Sequence, residues 1–127
     1  MDLKQLRAFM TVADTGNGPI LCYPFRRSKL RHSFVQTPDE EICYLLGILR
    51  TAPPDDRTVL DAQVAANRAL FEQARELGGT HYPIGALPFS PADWRQHFGK
   101  AWPRFLRQKA RYDPRQVLTP GQGIFHA

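Results

Sequence analysis

"EICYLLGILRTAPPDDRTVLDAQVAANRALFEQARELGG", residues 41–79, decides the fold. Its first ten residues place Ile42, Tyr44, Leu46 and Ile48 in alternation with Cys43, Leu45, Gly47 and Leu49. Both sets are largely apolar, so the spacing predicts a strand covered on both faces. "TAPPDD" (51–56) stops regular structure, because proline fixes φ and lacks an N–H. From Arg57 the period changes. Leu60, Val64, Asn67, Phe71 and Ala74 fall on one stripe, Leu70 and Leu77 widen it, and Gly78-Gly79 closes it. That is an amphipathic helix over 57–79.

Working outward, "GPILCYPF" (18–25) is a short apolar run between Gly-Pro and Pro-Phe, which predicts a second buried strand. "MDLKQLRAFMTVADTGN" (1–17) sets Leu3, Leu6, Phe9, Met10 and Ala13 at helical spacing and predicts a helix ending near Gly16. "THYPIGALPF" (80–89) is extended, with Pro83 and Pro88 confining it to a sheet edge or an irregular connection. Ser90 is placed to cap a helix, with Pro91 at its first position and Asp93 in its first turn. Trp94 and Phe98 lie one turn apart, Gly99 and Pro103 predict a break, and Asp113-Pro114 ends the second helical piece. The order reads as α+β, a small antiparallel sheet with packed helices. Two or three strands are thin for independent stability, so part of the sheet is expected to be missing.

Composition excludes more than it selects. The 127 residues with 43% hydrophobic content allow one modest core. No run approaches a membrane span, and the charged start argues against a secretory signal, which makes the cytoplasm the expected location. Cys22 and Cys43 sit in apolar surroundings with no metal-ligand spacing, and are read as two buried free thiols. The net charge of +5 is split: residues 1–38 hold six Lys/Arg against two Asp/Glu, 39–91 four against eight, and 92–127 seven against two. Such a split marks solvated faces more often than a nucleic-acid surface. His32, His81, His97 and His126 are scattered, and surface or capping roles are expected for them. The basic run Arg26 to Arg31 and the acidic Asp39, Glu40 and Glu41 read as solvated connections.

The end of the chain, "YDPRQVLTPGQGIFHA" (112–127), is unlike a frayed terminus. Val117, Leu118, Ile124 and Phe125 call for burial, while Pro120, Gly121 and Gly123 set a bend that presents Gln122.

Three blocks carry a resemblance: "GPILCYPFRRSKL" (18–30), "TPDEEICYLLGILRTA" (37–52) and "HFGKAWPRFLRQKARYDPRQVLTPGQGIF" (97–125). In this order they resemble the C-terminal portion of the cytokinin dehydrogenases, FAD-dependent amine-oxidising enzymes of the vanillyl-alcohol-oxidase-type flavoprotein superfamily. The resemblance implies an incomplete piece of a two-domain flavoprotein. Residues 18–89 would be the end of the substrate domain, and 90–127 the segment that returns to the FAD domain. Thr119 and Gln122 would be polar contacts of the flavin, and either Tyr82 or the Leu87-Pro88-Phe89 group would border flavin and substrate. An amide suits a flavin edge because it offers donors and an acceptor together. The family reaction transfers hydride from an amine carbon to the flavin, chemistry that the cofactor carries.

The family's FAD-binding half, its flavin-linked histidine and its proton-accepting aspartate have no counterparts in residues 1–127. A fragment, inactive by itself and purified without flavin absorption, is therefore expected. Residues 1–17 separately resemble the first helix of LysR-type regulators, with no recognition helix following. A DNA-binding remnant is thus the alternative, although a nucleic-acid partner is not expected.

Overall fold

The computed structural model describes residues 18–31, 34–118 and 122–125. The expected helix at 1–17 lies outside them. The chain divides into two compact units, one containing residues 37–80 with the preceding strand region, the other containing 81–127 with the short stretch at 33–36.

In the first unit, β1 (Ile20–Arg26) pairs antiparallel with β2 (Ile42–Ile48), in a register that sets Ile20 opposite Ile48 and Arg26 opposite Ile42. This is the α+β arrangement that the two apolar runs predict, with a sheet of two strands among the described residues. The strands differ in burial. Cys43 is 3% exposed and Tyr44 to Ile48 are half-buried, but Cys22, Tyr23 and Pro24 are exposed. β1 is therefore not the buried strand its composition predicts, and Cys22 is a free thiol at the surface. Among the described residues no further strand lies beside this ribbon to cover it. Cys43 fits the expectation, since burial raises its thiol pKa and leaves it a poor nucleophile.

At the ribbon's open end the backbone passes so close that a Cβ on Gly18 would stand 2.1 Å from the Leu49 carbonyl oxygen. At the other end the basic and acidic runs neutralise each other. Arg27 pairs with Asp39 at 2.5 Å, and the Ser28 hydroxyl donates to Glu41 at 2.7 Å.

The helix of this unit, α1 (Arg57–Glu76), begins at Asp56, whose carboxylate accepts the Val59 N–H at 3.0 Å. Leu70 is buried, and Val64, Asn67, Phe71 and Ala74 are half-buried along the expected stripe. Leu60 and Leu77, at its two ends, are exposed. The loop after β2 is tied to this helix by side chains. Arg50 donates to the Asn67 amide oxygen at 2.8 Å, and the Gln63 amide donates to the Thr51 carbonyl at 2.9 Å.

α1 ends as its sequence predicts. The Gly79 N–H reaches the Ala74 carbonyl at 2.7 Å and the Gly78 N–H reaches Arg75 at 2.9 Å, while Gly78 takes φ 80°. This paired closure requires a left-handed residue just past the helix, where only glycine is free of strain. Gly78→Ala is expected to cost about 1 kcal/mol. The check is the denaturant midpoint of the variant, and an unchanged midpoint would contradict this account of the cap.

In the second unit, residues 81–90 form no strand. The Ile84 N–H bonds the Tyr82 carbonyl at 2.8 Å and the Leu87 N–H bonds Gly85 at 2.9 Å, two three-residue turns in succession. Pro83 and Pro88 explain this irregular connection, the second of the two outcomes their positions allow. Next, α2 (Pro91–Phe98) opens with a full capping box. Ser90 Oγ accepts the Asp93 N–H at 3.2 Å, and the Ser90 N–H donates back to Asp93 at 2.8 Å. The predicted break is a 3-10 turn over Gly99–Ala101, after which α3 (Trp102–Tyr112) runs to Asp113.

Candidate functional site

Heptad arithmetic places Trp94, His97 and Phe98 on one side of α2, since positions three and four apart share a helix face. Trp94 is 1% exposed and Phe98 4%. Around them the rings form a continuous series. His81 meets Phe89 at 4.9 Å, Phe89 meets Trp94 at 4.7 Å, and Trp94 meets Phe98 at 6.1 Å between centroids. Phe98 then meets Phe105 at 4.6 Å, and Phe105 meets Phe125 at 4.9 Å. Trp102 flanks the far end, 6.2 Å from Phe125. Offset and tilted pairs of this kind add about 0.5–1.5 kcal/mol each beyond area burial.

Two histidines belong to this series, which corrects the expectation of surface or capping roles. Burial lowers the His81 pKa to about 4, with His97 adding to the effect, and burial also lowers that of His97. Both rings are neutral near pH 7 and pack as aromatic faces. The sequence signal for His97 was its place three residues after Trp94. His32 and His126 lie outside the described residues.

The segment after α3 starts from one carboxylate. Asp113 is 3% exposed, and its side chain accepts the Val117 N–H at 2.8 Å, the Leu118 N–H at 3.3 Å and the Lys109 ammonium. The bond from Lys109 is the main reason that its carboxyl is held below the usual carboxylate range. Sequence reasoning took Asp113-Pro114 as a helix end alone and missed this role. The Asp-to-Val117 spacing is the local signal, because Asp side chains bond backbone N–H groups a few residues on.

Val117 and Leu118, expected to need burial, are 76% and 61% exposed. Ile124 and Phe125 are half-buried, as expected of anchors. Between them Gln122 is exposed at the head of a turn in which Gly123 takes φ 72°. Thr119 lies outside the described residues. Tyr82 is 41% exposed in the first of the tight turns. It follows the ring at one end of the aromatic series, while Gln122 precedes the ring at the other.

Chemically, an exposed primary amide and an exposed phenol suit the carbonyl and N–H edge of a flavin ring system. The two groups stand at opposite ends of the aromatic series and offer separate polar contacts. Among the described residues no His, Cys, Asp and Glu cluster could hold a metal ion. Nor is any described helix long and apolar enough to cross a membrane.

A family model described as cytokinin dehydrogenase 1, FAD and cytokinin binding, matches residues 3–125. The match begins within the stretch that resembles a regulator helix, and no comparison favours the regulator reading. Over 109 residues the chain is 40% identical to an uncharacterized oxidoreductase of the fasciation locus of Rhodococcoides fascians, covering 85% of this chain and 24% of that protein. It is 42% identical over 120 residues to cytokinin dehydrogenase 5 of Oryza sativa subsp. japonica, covering 87% of this chain and 22% of that protein. Cytokinin dehydrogenase 1 of Arabidopsis thaliana is 36% identical over 121 residues, covering 90% of this chain and 20% of that protein. The chain thus spans about a quarter of the length of these relatives.

Proposed function

The chain belongs to the cytokinin dehydrogenase family, in its FAD- and cytokinin-binding region, and from that premise we propose that it forms the flavin-closing lip of an FAD-dependent oxidoreductase. The observation that carries this is the exposed Gln122 amide, set on a glycine turn between a buried carboxylate and a ring packed on α3. Residues 18–89 belong to the substrate side and 90–127 to the cofactor side. When bound, the flavin supplies the hydride acceptor for oxidation of an amine C–N bond.

This chain's own residues orient and enclose. The Gln122 amide would donate to a ring carbonyl and accept from a ring N–H, and Thr119 would add a hydroxyl beside it. Tyr82, held by its tight turn, would border the substrate. The partners are FAD and a small amine of the cytokinin class. By itself this chain offers only an edge of the cofactor site, so neither turnover nor retained FAD is expected from it. The free thiols Cys22 and Cys43 fit the reducing environment of the cytoplasm.

The test is a chimera in which residues 18–125 replace the matching part of the Oryza relative. It is expected to purify yellow, with one FAD per chain, and to reduce an electron-accepting dye when an N6-substituted adenine is added. Gln122→Ala in that chimera is expected to slow flavin reduction about tenfold, the loss of one positioned donor of about 1.4 kcal/mol. A folded, monodisperse chimera that is colourless would overturn the reading.

A further inference from the structure

The chain leaves α3 at Asp113 and Phe125 packs on α3, yet Val117 and Leu118 are 76% and 61% exposed. Apolar burial therefore does not hold those two residues in place. A charged pair does. The Lys109 ammonium, one helical turn before Asp113, bonds the Asp113 carboxylate and also lies 5.4 Å from the centre of the Phe125 ring. One cation thus touches the first and the last described residues of the segment. Its side chain is 18% exposed and that of Asp113 1%, so water screens the pair far less than a surface ion pair. The carboxylate spends its remaining capacity on the Val117 and Leu118 N–H groups at 2.8 and 3.3 Å, which fixes the direction in which the chain departs. Phe125 also packs against Phe105 at 4.9 Å and Trp102 at 6.2 Å.

We propose that Lys109 and Asp113 are positioning residues, a clasp in which one ammonium holds both Asp113 and Phe125 and thereby sets where Gln122 is presented. The inference rests on the reading of Gln122 as a flavin contact, but the clasp itself is measurable without any flavin. A loop fixed at both ends loses its freedom before a ligand arrives, so the ordering cost is not charged against binding. Lysine serves because one ammonium can hydrogen-bond a carboxylate and face a ring together. Arginine can also do both, whereas methionine keeps the length of the stem and loses the charge.

The experiment is amide hydrogen exchange on the full 127-residue chain, read at Val117, Leu118 and the amides of α3. In Lys109→Met, the Val117 and Leu118 amides are expected to exchange about tenfold faster or more, with α3 amides little changed, and Lys109→Arg is expected to restore protection. Should Lys109→Met loosen α3 as well, Asp113→Asn provides the second reading. It keeps a carbonyl acceptor while dropping the charge, and is expected to release one of the two amides more than the other. Unchanged exchange at Val117 and Leu118 in both variants would overturn the clasp.

The yellow chimera adds a readout that a purely structural role would not move. There Lys109→Met is expected to slow flavin reduction about tenfold in the folded, yellow protein, with rescue by arginine. A flavin-reduction rate equal to the parent's would overturn the positioning role. A colourless parent chimera whose Val117 and Leu118 amides are protected would sink the flavin reading and leave the clasp intact.

Discussion

Trp94→Ala is expected to destabilise the second unit by about 3–5 kcal/mol, the usual range for deleting a large aromatic from a packed core. Trp94 is 1% exposed, and its neighbours His81, Phe89, His97 and Phe98 pack against the indole from several directions. Those neighbours belong to α2 and to the turns before it, so collapse into the void would have to break the capping box or the turns. The loss is comparable with the whole stability of a small domain, about 5–15 kcal/mol. Trp94→Phe separates volume from polarity. Among the described residues the buried indole Nε1 has no hydrogen-bond partner, so its removal breaks no bond there. A cost of only ~1–2 kcal/mol is expected for Phe, from the smaller ring alone. Denaturant unfolding followed by the fluorescence of Trp102 measures both. An alanine variant within ~1 kcal/mol of the parent would show that the ring series is not the core of this unit.

Acid should destabilise the same unit before it protonates carboxylates. His81 has a folded pKa of about 4 against an ordinary value of 6.5, because charging its ring among Phe89 and Trp94 forfeits hydration. With the folded value depressed, the unfolded chain takes the proton first. Stability is complete above about pH 6.5 and falls as the pH drops toward 4. The gap corresponds to at most ~3 kcal/mol, and water at the half-buried ring reduces it to ~1–2 kcal/mol. His97 contributes in the same direction. Asp113 follows the carboxylate rule. Its contribution is present above the ordinary 3.8 and is lost only as the pH falls below that value. The two effects occupy separate windows. Denaturant midpoints between pH 7 and 4 should therefore decline in the parent and decline less in His81→Phe. Equal slopes would mean that the buried imidazole is not the group responsible.

Much of this was legible because the relevant forces are local. The period of 57–79, the Gly78-Gly79 stop, the Ser90 cap and the break at Gly99 are each decided within a turn or two of chain, and each stands in the structure. What local sequence could not supply was the identity of distant neighbours. Cys22 and Tyr23 have the composition of buried strand residues, but a strand is covered only if other strands or helices lie beside it. Val117 and Leu118 are misread for the same reason, since hydrophobicity states a preference and not an available surface. His97 was read without regard to its helix face, and Asp113 without regard to the backbone N–H groups after it. Of the candidate site, Gln122 is exposed on its glycine turn and Tyr82 is exposed within tight turns, while Thr119 lies outside the described residues.

Pro24, opposite Tyr44 in the middle of β1, carries a further meaning. Proline has no amide hydrogen, and within a sheet it is tolerated where that hydrogen would point away from the partner strand. The outer rim of β1 is therefore short of one donor at its midpoint, and a foreign strand laid along it would meet a gap. β2 has no such gap in Ile42–Ile48. Strand addition along the β1 rim is thus discouraged at that midpoint.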